Sequence, residues 1–365
     1  MTNNTVKPPP ADSPSVESGI TDAATGHSHE PKIRYGNFSD PRGLVVRMLR
    51  SRNRAAYSGL MREGLKIVAR PADWLLSKFD RSTRTTSNSI QRPIILVVGP
   101  PRSGSTLVYQ ILARYCDVTY PDNLNSLFPR SSLLAMKWFS RKHPPRTALI
   151  RSCYGQTARF SGPNEGFHIW DRWLGKNRYE TIESLSAETI HEMNSFLNAW
   201  TQAAGKPLVN KNNRSTACIE LLSRSLPTSY FVLIQRDKRD IVRSVIRGRE
   251  FVQGDKRIPW GLHSQDVHGS TDPLGYVDDV CEQVEKICQR IKHQIESVDE
   301  QRVIALDYSE FCRDPEGVLH RIQARVPGLS LCSELIAKEL KPFPVSSDKF
   351  LCAEEEARMD RCLNG

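Results

Sequence analysis

The sequence has none of the cysteine patterns that mark a structural metal site. The chain of 365 residues contains nine cysteines, but none of them forms a C-x-x-C pair or a Cys/His cluster, which excludes the common zinc-binding motifs. An odd number of cysteines favours reduced thiols over a disulfide framework. We therefore expect a protein without a metal, with its thiols reduced in a cytoplasmic environment.

Long apolar runs are also missing. The N-terminus, "MTNNTVKPPPADSPSVESG", has no apolar segment of the kind found in export signals, and no later run is long enough to span a bilayer. The net charge of +10 favours anionic ligands such as nucleotides, sulfated glycans or an acidic membrane surface. No zinc-finger spacing or RNP-type aromatic signature is present, so we do not expect nucleic acid as a partner.

The composition divides the chain into four segments. Residues 1–35 are rich in Pro, Ser and Thr and predict a disordered tail. Residues 36–92 predict a basic helical N-terminal extension and a linker, because apolar residues alternate with arginines between positions 42 and 70. We expect these helices to lie on the core with their arginines in water, and contact with a membrane surface is the less favoured alternative. Residues 93–350 predict an α/β domain, and residues 351–365 a C-terminal helical tail.

Short β-branched segments alternate with helical patterns in the third segment. The segments "PIILVV", "KPLVNKNN", "SYFVLIQR" and "RVIALD" are typical of buried strands, and a segment with helical spacing follows each of them. Alternating strands and helices predict the α/β class, with a mainly parallel central sheet flanked by helices.

The first of these strands leads into a glycine loop, "GPPRSGST", from Gly99 to Thr106. It has the form G-x-x-x-x-G-x-T, but Ser105 stands where nucleotide-triphosphate loops have lysine. Backbone amides at the start of the next helix, together with Arg102 and the two hydroxyls, suit a single phosphate. Without the lysine the loop suits a triphosphate poorly. The other interpretation is a glycine turn that caps the helix and holds no ligand.

A second anion site is predicted from "QRDKRDIVRSVIRGR". Arg236 follows a buried strand, and Ser244 lies eight residues later, about two turns into the next helix. Ligands of parallel α/β sheets bind at the edge where the strands end, so both side chains could reach a second phosphate. Read alone, Arg236 could instead cap a helix and Ser244 could be a small packing residue.

These motifs resemble those of the PAPS-dependent sulfotransferases, which use 3′-phosphoadenylyl sulfate (PAPS) as the sulfuryl donor. "GPPRSGSTLVYQIL" is similar to their 5′-phosphosulfate loop, "RDKRDIVRSVIRGR" to their 3′-phosphate motif, and "VIALDYSEFCRDPEGVLHRI" to a strand–helix segment that follows. The resemblance covers residues 93–350 and implies a P-loop-like sulfotransferase fold with PAPS as co-substrate. It assigns the 5′ end of PAPS to Arg102, Ser103, Gly104, Ser105 and Thr106, and the 3′-phosphate to Arg236 and Ser244.

Three residues are candidates for the general base. Family members often have a glutamate about twenty residues after the loop, where this chain has Asp122 and Asn123. "SGPNEGFHIW" is similar to a G-P-x-E segment of bacterial relatives, so the resemblance makes Glu165 the first candidate. His168 is the alternative, because an imidazole has the more suitable ordinary pKa, and Asp122 is a third candidate. Equally, Glu165 could be a structural carboxylate that caps a helix or pairs with Arg159, and His168 a packed ring.

Two lysines complete the candidate site. Lys211 ends the strand in "LVNKNN", and the resemblance implies that it contacts the bridging oxygen of the donor. A solvated surface lysine is the other interpretation. "PFPVSSDKF" resembles a loop that covers the substrate or nucleotide, and Lys349 in it could reach a donor phosphate.

The sequence thus predicts a sulfotransferase that moves a sulfuryl group from PAPS to a hydroxyl of a carbohydrate or small metabolite. The reaction would be an in-line displacement assisted by a general base. One alternative is a P-loop kinase of nucleotides or small molecules, which the missing lysine argues against. The other is a non-catalytic scaffold protein that binds the product nucleotide PAP.

Overall fold

Four parallel strands form the central sheet of the protein. The computed structural model describes residues 39–80, 91–139, 152–175, 181–262, 272–345 and 350–364. The strands are β1 (Ile94–Val98), β2 (Ser152–Cys153), β3 (Gln156–Thr157), β4 (Leu208–Lys211), β5 (Ser229–Gln235) and β6 (Val303–Asp307). The sheet has the order β4-β1-β5-β6, while β2 and β3 form a separate antiparallel pair.

Helices connect and flank these strands. They are α1 (Pro41–Arg50), α2 (Arg54–Asp80), α3 (Ser105–Tyr115), α4 (Ser132–Phe139), α5 (Phe167–Leu174), α6 (Ala187–Ala204), α7 (Asn213–Ala217), α8 (Ile219–Ser225), α9 (Lys238–Gln253), α10 (Gly275–Glu296), α11 (Tyr308–Arg313), α12 (Pro315–Arg325), α13 (Ser333–Glu339) and α14 (Ala353–Asn364). Short 3₁₀ turns occur at Asn125–Leu127 and Glu300–Arg302. The predicted α/β class with a parallel central sheet is confirmed. None of the described helices is both long enough and apolar enough to cross a membrane.

Strand β1 is buried along its whole length because both faces of the sheet are covered. Ile94, Leu96 and Val98 belong to one apolar cluster, and Ile95 and Val97 belong to the other. This division follows the two-residue period of a strand. The first cluster includes residues of α5, α6 and α8, and the second includes residues of α3, α11 and α12. Each fully buried aliphatic side chain contributes about 2 kcal/mol, so the centre of the sheet is the most strongly anchored part of the fold.

Most helix boundaries follow the local sequence. The side chain of Asp237 accepts a hydrogen bond from the Arg239 amide at the start of α9 (2.7 Å), as an N-cap does. Pro315 occupies the first turn of α12, and Gly205 ends α6 with a φ of 70°. The helical segment that follows β4 is divided into α7 and α8, which meet at Cys218.

Helix α2 is attached to the domain by buried carboxylates. Asp73 accepts hydrogen bonds from the amides of Arg130 (3.1 Å) and Ser131 (3.0 Å), and from the Ser131 hydroxyl (2.8 Å). Asp80 accepts from the Leu134 amide in the first turn of α4 (3.0 Å). Both carboxylates therefore neutralise the positive end of α4. The expectation that the arginines of this region lie in water is wrong for Arg62, which is 4% exposed.

We expect Asp73→Ala to destabilise the protein by about 3 kcal/mol, because it leaves buried donors without an acceptor. The free energy of unfolding in urea measures this change. Glu63→Ala is the matched control, since Glu63 is an exposed acid of the same helix. Equal stability of the two variants would show that the Asp73 contacts do not hold α2 in place.

Candidate active site at the carboxyl edge of the sheet

All four parallel strands end at one edge of the sheet, and each delivers a candidate residue there. Lys211 is the last residue of β4, and the glycine loop follows β1. Arg236 follows β5, and Tyr308 follows β6. The strand register aligns Val97 with Lys211 and continues across β5 to β6. Ligands of parallel α/β sheets bind at this edge.

The glycine loop makes close contacts that require glycine. Gly104 has a φ of +94°, and a Cβ atom there would collide with the Tyr308 ring. Gly99 has a φ of +152°, and a Cβ atom there would lie 2.8 Å from the carbonyl oxygen of Ile234. The loop is therefore held against the ends of β5 and β6, and its turn opens at the N-terminus of α3.

This turn has the donors that an anion needs. Gly104 caps α3 without a side-chain hydrogen bond, so the first-turn amides of Ser105 and Thr106 have no acceptor within the helix. The Ser103 hydroxyl is fully buried and makes no hydrogen bond. Helix amides and orphaned hydroxyls fit a phosphate or a sulfate.

Arg102 connects the two predicted anion sites. Its Nε donates a hydrogen bond to Oγ of Ser244 (3.0 Å), and its carbonyl oxygen accepts one from Nη1 of Arg236 (3.0 Å). The Arg102 guanidinium lies over the Tyr154 ring, 4.8 Å from its centroid. The φ of Arg102 is +71°, an uncommon conformation for a residue other than glycine. The loop and the Arg236/Ser244 pair thus lie side by side.

Arg236 is held by several neighbours at the end of β5. Its guanidinium lies 4.5 Å from the centroid of the Tyr308 ring and 3.7 Å from the carboxylate of Asp240. Burial raises the pKa of Tyr308 to about 12, so the ring is neutral and presents its π face to the cation. These contacts fix the orientation of Arg236 toward the loop.

Glu165 and Lys211 form an ion pair of 2.5 Å. Lys211 is 7% exposed, so it is not a solvated surface lysine. The carbonyl oxygen of Glu165 accepts a hydrogen bond from Nδ2 of Asn212 (2.9 Å), which follows Lys211 in the chain. The structure therefore brings a carboxylate and an ammonium group together, and Lys211 is paired with Val97 of the strand that leads into the glycine loop.

His168 contacts Asn125 and not this pair. Its Nε2 is 3.2 Å from Oδ1 of Asn125. Burial, together with the nearby cation of Arg172, lowers the pKa of His168 to about 3. The imidazole is consequently neutral at working pH and a weak base, which matches the packed ring considered from the sequence.

Asn123 organises the segment that carries Glu165. Its Nδ2 donates to the carbonyl oxygens of Thr157 (3.1 Å) and Arg159 (2.8 Å), and its Oδ1 accepts from Nδ2 of Asn164 (3.0 Å). Arg62 of α2 donates to the same Oδ1. Asn123 thus has a structural role in the region where the family pattern predicts a general base.

Asp122 is the most perturbed carboxyl group near the site. Burial raises its pKa to about 7, although the backbone amides of Asn125 and Leu124 oppose this shift. The Asn125 amide donates to the Asp122 carboxylate at 2.6 Å. Asp122 is half-buried, and its raised pKa, near neutrality, could not be predicted from the sequence.

The roles of Tyr308 and Asn123 were not predicted from the sequence. Tyr308 could have been found as the first residue after the strand "RVIALD", at the edge where ligands bind. Asn123 gave no signal, because its partners come from distant parts of the chain. Lys349 lies outside the described residues.

Comparison with known proteins points to one family. The profile described as "Sulfotransferase family" matches residues 93–329, well over half of the chain. No protein with a curated function matches significantly.

Several solved structures resemble parts of the chain. Sulfotransferase STF9 from Mycobacterium avium is 19% identical, with 75% of this chain and 68% of that chain covered and a TM-score of 0.44. Sulfotransferase STF1 from Mycobacterium tuberculosis is 14% identical, with coverage of 88% and 90% and a TM-score of 0.48. A sulfotransferase domain of a Synechococcus olefin synthase is 14% identical, with coverage of 77% and 97% and a TM-score of 0.37.

Asp122→Asn should change how stability depends on pH. Because the pKa of Asp122 is raised to about 7, the folded state keeps a proton that the unfolded state releases near pH 4, and stability falls between about pH 4 and about pH 7. The asparagine variant lacks this loss and should be more stable than the parent by roughly 2 kcal/mol at about pH 8, with a smaller difference at about pH 5. The free energies of unfolding of parent and variant, measured in urea at both pH values, give this difference. A parent and variant with parallel pH dependence would contradict the raised pKa.

Proposed function

Since the chain belongs to the sulfotransferase family, we propose that it transfers a sulfuryl group from PAPS to a hydroxyl of a carbohydrate or other small acceptor. The observation that carries this proposal is the contact of Arg102 with both Ser244 and Arg236. It supports a single groove in which one anion site adjoins the other. PAPS needs such an arrangement, because it has a phosphosulfate at its 5′ end and a separate phosphate at its 3′ position.

In this proposal the glycine loop binds the 5′ end of the donor. Amides of Ser105 and Thr106 and the buried hydroxyl of Ser103 donate hydrogen bonds, and Gly104 keeps the turn open under Tyr308. These groups stabilise negative charge without a metal. Ser105 occupies the place of the lysine that kinases use to bridge outer phosphates.

Arg236 and Ser244 bind the 3′-phosphate. A guanidinium and a hydroxyl offer directed donors that suit phosphate oxygens. Ser244 is 6% exposed and already accepts a hydrogen bond from Arg102. Binding would therefore exchange this internal bond for contacts with the donor, and Arg102 would turn toward the phosphosulfate.

Glu165 and Lys211 perform the transfer step. The acceptor hydroxyl attacks sulfur in line with the bond to the bridging phosphate oxygen, which breaks as the new S–O bond forms. Glu165 takes the hydroxyl proton, and Lys211 stabilises the charge that develops on the bridging oxygen of the leaving PAP. Their ion pair of 2.5 Å supports these roles, and the pairing of Lys211 with Val97 places the lysine next to the strand that leads into the glycine loop.

Replacing Arg236 with alanine should weaken PAP binding about 30-fold. This corresponds to losing one charge-assisted contact of about 2 kcal/mol. Titration calorimetry with PAP measures the affinity, and a thermal melt checks that the variant folds. Lys238→Ala is the matched control, because Lys238 is an exposed cation two residues after Arg236, at the first position of α9. Equal PAP affinity in the two variants would remove Arg236 from the donor site.

Glu165→Gln should leave PAP affinity unchanged and reduce transfer at least about 100-fold, as expected for the loss of a general base. The assay follows radiolabelled PAPS onto extracted metabolites and glycans, and Glu334→Gln is the control at an exposed position. Full transfer by the Glu165 variant would move the base role to another group, with Asp122 the first to test. If the parent protein binds PAP but labels no acceptor, a non-catalytic PAP-binding role replaces this proposal.

A further inference from the structure

The outward face of α2 is apolar, whereas its inward face carries charge. Arg62, Asp73 and Asp80 are almost fully buried against the domain. Several large apolar residues of the same helix are exposed, and the most exposed of them are Met61, Ile67, Val68, Trp74, Leu75 and Phe79. An ordinary surface helix has the opposite arrangement. Large exposed apolar patches mark surfaces that contact another protein or a membrane.

These apolar residues form a continuous stripe. Tyr57, Met61, Val68, Leu75 and Phe79 follow one another at intervals of four or seven residues, which places them on one side of a helix. Val68 is 76% exposed and Phe79 is 58% exposed. Ile67 and Trp74 lie one position before Val68 and Leu75 and widen the stripe, which we call the α2 stripe.

Helix α1 extends the α2 stripe. The hydroxyl of Tyr57 donates a hydrogen bond to the carbonyl oxygen of Leu49 (2.8 Å). Leu49 is 52% exposed, and its neighbours Val45 and Val46 on α1 are exposed to a similar degree. Both helices therefore contribute apolar side chains to one surface.

The charges around this surface are almost all positive. Exposed basic residues on α1, α2 and the turn between them are Arg42, Arg50, Arg52, Arg54, Arg70 and Lys78. Of the three acids on α2, Asp73 and Asp80 are buried, and Glu63 is paired with Lys66 at 2.6 Å. A partner that covers the stripe must therefore accept both apolar side chains and cations.

We propose that the α2 stripe and its basic border dock on an anionic membrane surface. Helices that lie in the membrane interface combine Trp, Phe and Leu on one side with Lys and Arg beside them. Trp74 and Tyr57 are the residue types that favour the boundary between headgroups and acyl chains. A second copy of the chain fits less well, because two basic borders would repel each other. This inference does not depend on sulfuryl transfer.

The test is co-sedimentation of the full chain with vesicles. The expected result is binding to phosphatidylcholine vesicles that contain phosphatidylglycerol, and weak binding to phosphatidylcholine alone. Salt should weaken the binding, because the basic residues act through screened charge. Val68→Glu with Leu75→Glu should reduce partitioning at least about tenfold, since it places two acids within the stripe. Both positions are exposed, so we expect the variant to fold.

Val345→Glu is the matched control, because Val345 is an exposed apolar residue outside α1 and α2 and is 43% exposed. It should bind vesicles like the parent chain. Failure of the parent to bind anionic vesicles would overturn the proposal. So would a dimer, seen by sedimentation velocity, that the paired substitutions at Val68 and Leu75 dissociate, because the stripe would then cover a second copy.

Discussion

The site depends on the position of Arg102 between two anion-binding groups. Its backbone receives a hydrogen bond from Arg236, and its side chain donates one to Ser244, which ties the glycine loop to the start of α9. Arg102 adopts this position with a positive φ, a cost that surrounding contacts must offset. Tyr308 provides part of that support, because its ring packs on Gly104 and beneath the guanidinium of Arg236. These contacts therefore hold the glycine loop in a fixed position against the ends of β5 and β6.

The sheet explains why these groups meet. Parallel strands release their chains at a common edge, so residues far apart in sequence arrive together without long connecting loops. Lys211, Arg102, Arg236 and Tyr308 each follow or end a different strand. The two apolar clusters cover the two faces of the sheet beneath this edge.

Much of this arrangement could be predicted from local sequence. Strand β1 is a short buried run followed by glycine, and the spacing from Arg236 to Ser244 places Ser244 about two turns into the helix that follows Arg236. The functions of Asn123 and Asp73 could not be predicted, because their partners lie at distant positions: Asn164 and Arg62 for the first, and Ser131 for the second. For the same reason the sequence did not reveal that α2 presents its apolar side to solvent. Periodicity shows that a helix has two faces, but the burial of Arg62 and Asp73 decides which of them turns inward.

The most direct test of the account is a crystal structure of the protein with PAP bound. We predict the 5′-phosphate within hydrogen-bond distance of the Ser105 and Thr106 amides. The 3′-phosphate should contact the Arg236 guanidinium and the Ser244 hydroxyl, with the Arg102–Ser244 hydrogen bond broken. A structure in which the 3′-phosphate lies away from Arg236, while the internal bond between Arg102 and Ser244 remains, would contradict the account.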